Sequence, residues 1–428
     1  MNKTLRFGGL RLKENRFSAN AWIEKTHLPR RVYIPLLQHS GKPAKICVQK
    51  DQLVEEGQLI GSADGNLSCP VHASVSGRVI SIASVSDHSI VTIETGGSVK
   101  NWYAKKTPLE QLAPKDMIER IRAAGVVRLN GESVSEASNL EKATGSKIQT
   151  LILSCFQTEP YLASVYRMSL EKCEEVLEAL NVYRKMLSVQ NAVLVFSELD
   201  LELIALYTEK AKGLNNITIL PIHAKYPQDE VSLLVQTAAG KEIPLDKNPW
   251  DIGCYAIDVE TLMAGMEAVL YQKPLIERIV SFTGDGLNKA VNLKVRIGTS
   301  ISYLIEEYGL PAQKKLLAAG GPMRGEEITD RNKPITKYIN SVIFLSPSKK
   351  YVVSNDPCIR CGSCVELCPV RIDVPLLSRL CELGRLDEAV GNGLSTCVEC
   401  GLCAYDCPSR IPIVGFIKRA KKLINSEN

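Results

Sequence analysis

Nine of the fourteen cysteines crowd between Cys358 and Cys407, and eight of the nine fall into two blocks of identical spacing. CIRCGSCVELCP supplies Cys358, Cys361, Cys364 and Cys368 before Pro369, and CVECGLCAYDCP supplies Cys397, Cys400, Cys403 and Cys407 before Pro408. Both read C-x2-C-x2-C-x3-C-P. Three thiolates at that step wrap one iron-sulfur cubane, and the fourth, redirected by the proline, ligates the other cluster. The spacing predicts two [4Fe-4S] clusters, one on Cys358, Cys361, Cys364 and Cys407, the other on Cys397, Cys400, Cys403 and Cys368. Zinc sites also use C-x2-C pairs, but zinc wants four ligands in one tetrahedron and has no use for a third x2 step followed by C-P. Cys381 lies outside both blocks and is predicted not to be a ligand.

No other constellation competes. The remaining cysteines (Cys47, Cys69, Cys155, Cys173, Cys254) are scattered, and the histidines (His27, His39, His72, His88, His223) show no ligand spacing. Cys155, at a strand end, reads as an inert thiol. No acid/base or nucleophile arrangement supports side-chain catalysis, so no catalytic residue is assigned. Lys plus Arg (52) barely exceeds Asp plus Glu (47), which gives no field for wrapping nucleic acid. The start, MNKTLRFGGLRLKENR, has no apolar run of the signal-peptide kind, and no segment approaches the ~18 apolar residues of a spanning helix. A reducing cytosol, where dense cysteines mean metal or redox chemistry, is therefore the expected compartment.

The elements that must carry these blocks change texture along the 428 residues, a length that implies two to four units. Hydrophobic residues at 45% and charged residues at 23% suit globular cores. Residues 1–100 hold short β-runs and glycine turns, with V-x-x-G-Q-L-I-G before V-S-G-R-V, a layout similar to the lipoyl and biotinyl barrel-sandwich domains. The hairpin that bears the modified lysine in those domains reads SADGNLS here, so a scaffold without lipoylation is expected. Over 101–272 helical stretches alternate with the strand runs TLILSC, AVLVFS and ITILPI, the pattern of an α/β unit with a mainly parallel sheet. Residues 273–347 read as a small β-rich module, and 348–428 as a helix-rich cysteine module like the dicluster domains of respiratory complexes. The chain ends in a basic helix whose Ile413, Ile417, Ala420 and Ile424 share one face, expected to pack on the cysteine module.

Taken together, FGGLRLKEN, IPLLQHSGKPAK, PVHASVSG, TEPYLASVYRMSLE, KYPQ, KPLIERIVSFTGDG, VRIGTS, GGPMRG and both cysteine blocks with their CPSRIPIV tail resemble the RnfC family, one of the subunits of the Rnf-type ion-translocating electron transport complexes, over nearly the whole chain. The resemblance implies a multidomain α+β protein: a barrel-sandwich domain, an α/β flavin-fold domain, a β-grasp (SLBB-like) module and a ferredoxin-type dicluster domain. It implies a peripheral subunit on the cytoplasmic face of the cell membrane, docked on integral membrane subunits. Members take electrons from NADH through FMN, and the complex couples their flow to Na+ or H+ transport.

The sequence departs from the family where flavin would bind. The family loop G-L-G-G-A-G-F-P-T stands here as Arg128-Leu129-Asn130-Gly131-Glu132-Ser133-Val134-Ser135, which keeps only Gly131 and adds a carboxylate that would repel phosphate. The segment like N-G-A-E-C-E-P-Y keeps Glu159, Pro160 and Tyr161, and Asp258-Val259-Glu260-Thr261-Leu262 resembles the N-V-E-T-L of the flavin subunit of respiratory complex I. Gly131, Glu159, Asp258 and Glu260 are thus the remnant of an FMN/NADH site. The expectation is that FMN and NADH bind weakly or not at all and that ferredoxin or flavodoxin supplies electrons; the competing reading gives the phosphate to Arg128. Two other functional readings stand beside this one: a soluble protein feeding a proline or cobalamin reductase, and a zinc-stabilised interaction module.

Overall fold

The computed structural model describes residues 4–65, 67–85, 88–130, 133–310, 316–346, 353–354 and 356–427. The first unit is built from two antiparallel sheets, one ordering strands Arg31–Pro35, His88–Thr95, Gly77–Val85 and Leu53–Val54, the other Lys45–Ile46, Leu59–Ser62 and Val71–His72. Their alternation places Val32 opposite Ile93 and Ile34 opposite Val91, all four closed to water. Inward side chains at every second residue make the core between the sheets, while the alternate residues face outward.

The second unit carries a four-stranded, wholly parallel sheet in the order Ile217–Ile222, Asn191–Ser197, Thr150–Ser154, Cys254–Asp258. Both faces are covered. Leu151 and Leu153 point to helices Cys173–Met186 and Val259–Tyr271, and Ile152 points to helix Val231–Ala239 on the other side. A strand buried on two faces loses the polar alternation and reads as a continuous apolar run. The last strand, Cys254–Asp258, escaped the sequence reading because it enters the helix Val259–Tyr271 with no turn residue between them.

The third unit is a mixed six-stranded sheet with helix Ile301–Glu307 against its apolar core. Its edge strand is Ile23–Lys25, paired in parallel with Val291–Arg296, so the N-terminal segment crosses to units far along the chain. The fourth unit consists of helices Ser363–Glu366, Val374–Glu382, Leu386–Gly391, Leu402–Tyr405 and Ile413–Glu427. The terminal helix buries Ile413, Ile417 and Ala420 in this unit's core, with Ile424 packed against it.

Buried charges tie the units together. Arg296 of the third unit meets Glu56 of the first at 3.0 Å, and the Trp102 indole also donates to Glu56. Lys273 bridges Glu267 and Glu277 at 2.7 and 2.5 Å. The Lys337 amine donates to the carbonyls of Pro70 and Gly125, one on each of the first two units.

Candidate functional site

The two cysteine blocks adopt one backbone conformation. Gly362 and Gly401 both lie at φ +84° and start the one-turn helices Ser363–Glu366 and Leu402–Tyr405. Arg360 and Glu399, then Arg371 and Arg410, also share positive φ at matching positions. Left-handed residues set between the cysteines curl each block, which brings thiols separated by x2 to one side.

Cys368, Cys397, Cys400 and Cys403 line one hollow, floored by Ile372, Val374, Leu377 and Ile417. Three of these thiols come from the second block and one from the first. Burial pushes the Cys400 thiol up to about 11, opposed by the Leu402 amide and the Arg324 guanidinium. The Cys364 thiol is raised by burial and, to lesser degrees, by Cys361, Cys358 and Cys407. Cys358 and Cys361 are exposed, whereas Cys400 is buried. Cys381 does not line the hollow; it packs among Leu377, Leu380 and Ile413 in the helical core. Among the described residues no three Cys, His, Asp or Glu side chains converge closely enough to hold a single metal ion.

Loops from three distant parts of the chain close over the buried group. The Gly9 amide donates to the Leu367 carbonyl, and a Cβ on Gly8 would stand 2.7 Å from the Cys368 carbonyl. Leu10 bridges Tyr226, whose hydroxyl donates to the Cys400 carbonyl at 2.5 Å. Arg324 donates from Nε to that hydroxyl at 3.1 Å, and its Nη2 lies 3.6 Å from Asp229. Lys421 of the terminal helix donates to the Cys397 carbonyl at 2.6 Å and pairs with Glu399 at 2.9 Å. FGGLRLKEN, KYPQ and GGPMRG therefore meet at one place, and sequence reasoning assigned none of them a role. The signal available was only that these short motifs occur together.

The described flavin-site remnants are each engaged by other groups of the protein. Arg128 ion-pairs with Glu136 at 2.6 Å, donates to the Ala256 carbonyl at 2.5 Å and lies over the Tyr255 ring. That side chain is committed to the core and leaves no free guanidinium for a phosphate. Asp258 caps the helix it precedes, accepting from the Thr261 amide and hydroxyl. Glu260 pairs with Arg278 at 3.3 Å, and burial pushes its carboxyl up to about 7. Burial likewise raises Glu159 to about 7, and its Oε1 accepts from the Met323 and Arg324 amides of the GGPMRG loop. Gly131 and its neighbour Glu132 lie outside the described residues. Cys155 is fully buried, and burial holds its thiol well above the ordinary range.

Residues 5–95 match the family described as the RnfC barrel sandwich hybrid domain, and residues 121–265 the Nuo51 FMN-binding domain. The C subunit of the ion-translocating oxidoreductase complex of Rhodobacter capsulatus is 31% identical over 87% of this chain and 74% of that protein. The C subunit of the proton-translocating ferredoxin:NAD(+) oxidoreductase complex of Clostridium ljungdahlii is 30% identical over 91% of this chain and 87% of that protein. An NAD+-reducing [NiFe]-hydrogenase in the H2-reduced state is similar in fold at TM-score 0.52 and 12% identity, over 75% of this chain and 63%, less than two thirds, of that one. With the N-terminal domain match and the relatives spanning most of the sequence in agreement, the chain belongs to the RnfC family, the electron-transfer subunits of ion-translocating oxidoreductase complexes.

Proposed function

We propose that this chain is the iron-sulfur relay of a redox-driven ion-translocating membrane complex, holding two [4Fe-4S] clusters. Cys358, Cys361, Cys364 and Cys407 would hold one, and Cys397, Cys400, Cys403 and Cys368 the other. The observation that carries this reading is the hollow lined by Cys368 together with the three thiols of the opposite block. The apolar floor and the donor set of four thiols suit a cubane, which supplies one-electron transfer. A zinc tetrahedron needs four ligands around one ion and has no use for a third cysteine at the next x2 step followed by C-P, twice over.

The α/β unit keeps a flavin-domain fold with its binding residues turned to other work. Arg128 is held by Glu136, Asp258 caps a helix, and Glu159 supports the loop of Arg324. On that basis FMN and NADH bind weakly or not at all, and a ferredoxin- or flavodoxin-type protein delivers the electron. The exposed thiols Cys358 and Cys361 leave one group of ligands open to the approach of such a carrier. No described helix is long and apolar enough to cross a membrane, in keeping with peripheral docking on integral membrane subunits at the cytoplasmic face.

One preparation tests both halves. Anaerobically purified chain is expected to contain about eight iron and eight sulfide, to give a cluster EPR signal on reduction with dithionite, and to release no stoichiometric FMN. About two zincs with no cluster signal overturn the relay. Stoichiometric FMN, with clusters bleached rapidly by NADH, overturns the protein-donor reading.

A further inference from the structure

The two cysteine groups share a backbone conformation but not an electrostatic setting. Around Cys368, Cys397, Cys400 and Cys403, two side-chain cations reach the loop that carries the thiols. Lys421 donates directly to the Cys397 carbonyl, and Arg324 acts through Tyr226, whose hydroxyl donates to the Cys400 carbonyl. Both cations are mostly shielded from water, their side chains 24% and 23% exposed. Arg324 is held in place on three sides, by Tyr226 beneath its guanidinium, by Asp229, and by Glu159, which fixes the backbone of its loop. Close approach is built in: a Cβ on Gly401 would stand 2.7 Å from the Met323 carbonyl, so the arginine loop lies directly on the cysteine loop. At Cys358, Cys361, Cys364 and Cys407 no side-chain cation bonds to a cysteine carbonyl among the described residues, and two of the four thiols are exposed.

Reduction adds one negative charge to a cluster with no bond made or broken. A fixed cation in a partly water-excluded site favours the reduced form, and hydrogen-bonded groups beyond the ligands tune the potential in the same way. Resting on the cluster assignment above, we propose that Arg324 and Lys421 are positioning residues that raise the reduction potential of the cluster held by Cys368, Cys397, Cys400 and Cys403, making the two clusters inequivalent. The anions beside them sharpen the effect of a substitution. Removing Lys421 leaves Glu399 unopposed, and removing Arg324 leaves Asp229 unopposed. The motifs GGPMRG and KYPQ then have a function in the relay itself: one supplies the charge, the other the hydroxyl that links it to the cysteine loop.

The test is a mediated redox titration of the full chain followed by EPR, in a Cys407→Ser background where only the second cluster remains to be titrated. Lys421→Gln and Arg324→Gln are each expected to shift the reduced-to-oxidised ratio at fixed potential about tenfold toward oxidised, ~59 mV for a one-electron couple. Arg324→Lys is expected to retain most of the original potential, and Asp229→Asn to shift it the opposite way, which a merely structural role would not produce. Lys421 lies on the terminal helix with its side chain 24% exposed, outside the apolar face of that helix, so Lys421→Gln keeps the test alive if Arg324→Gln does not fold. Unchanged potentials in variants that retain the cluster overturn the inference while leaving the cluster assignment intact. Absence of any cluster signal in the Cys407→Ser parent overturns the assignment first, and the inference with it.

Discussion

Cys368 closes the first cysteine block yet faces the thiols of the second, lining the hollow with Cys397, Cys400 and Cys403. Its place in that hollow, after the one-turn helix Ser363–Glu366 and just before Pro369, supports the proposal that it ligates the cluster of the other block. Cys368→Ser is therefore expected to halve bound iron, from about eight to about four per chain. Adding Cys400→Ser should leave those four in place, because both substitutions strike one cluster; adding Cys361→Ser should remove them. Iron and sulfide assays on the three variants check the crossed pairing, and a loss of all iron in the Cys368/Cys400 pair would refute it. Arg128 illustrates the opposite case, a side chain that the competing reading of the sequence gave to a phosphate. Its 2.6 Å pairing with Glu136, with the guanidinium over the Tyr255 ring, gives it to the core.

At the scale of the element, the one-turn helices Ser363–Glu366 and Leu402–Tyr405 begin from glycines of the same left-handed conformation but in different surroundings. A Cβ on Gly362 would meet nothing within 4 Å, whereas one on Gly401 would press on the Met323 carbonyl. Gly362→Ala should cost roughly 1–2 kcal/mol, the strain of a left-handed alanine. Gly401→Ala carries the same strain plus the clash, and should cost at least about 1 kcal/mol more. Urea unfolding of the two variants measures the difference, and equal losses would show that the GGPMRG loop does not bear on the cysteine loop. The terminal helix shows how far periodicity alone reaches. The spacing of Ile413, Ile417, Ala420 and Ile424 marks its apolar face, and that face does pack on the cysteine unit. The roles of Lys421 and Lys418, which bond to the Cys397 and Arg324 carbonyls, are invisible to a pattern that assigns basic residues to water.

Across the whole molecule, ion pairs buried between units join what apolar seams alone would otherwise hold. Arg296 and Glu56 are both nearly inaccessible, and Lys337 holds carbonyls of two units with one amine. Breaking a buried pair leaves a charge stranded at a cost of about 3–5 kcal/mol. Arg296→Met is expected to lose stability in that range and to separate melting of the first unit from that of the third, while Arg296→Met with Glu56→Gln recovers most of the loss. Scanning calorimetry reports both, and an unchanged single transition in the Arg296→Met variant would show that the pair does not couple the units.

The amino-acid sequence by itself determined what is local: the cysteine step, the parallel strand runs, the apolar face of the last helix, and the eroded glycine loop. These follow from spacing, because chirality and backbone geometry convert a fixed step along the chain into a fixed direction in space. Only the tertiary structure decided where Arg128 points, that FGGLRLKEN, KYPQ and GGPMRG gather on one cysteine group, and that a strand from the N-terminal segment completes a sheet formed by residues 277–345. These contacts join residues up to some hundreds of positions apart, and their partners are chosen by packing and by the need to satisfy buried charge, neither of which leaves a period in the chain.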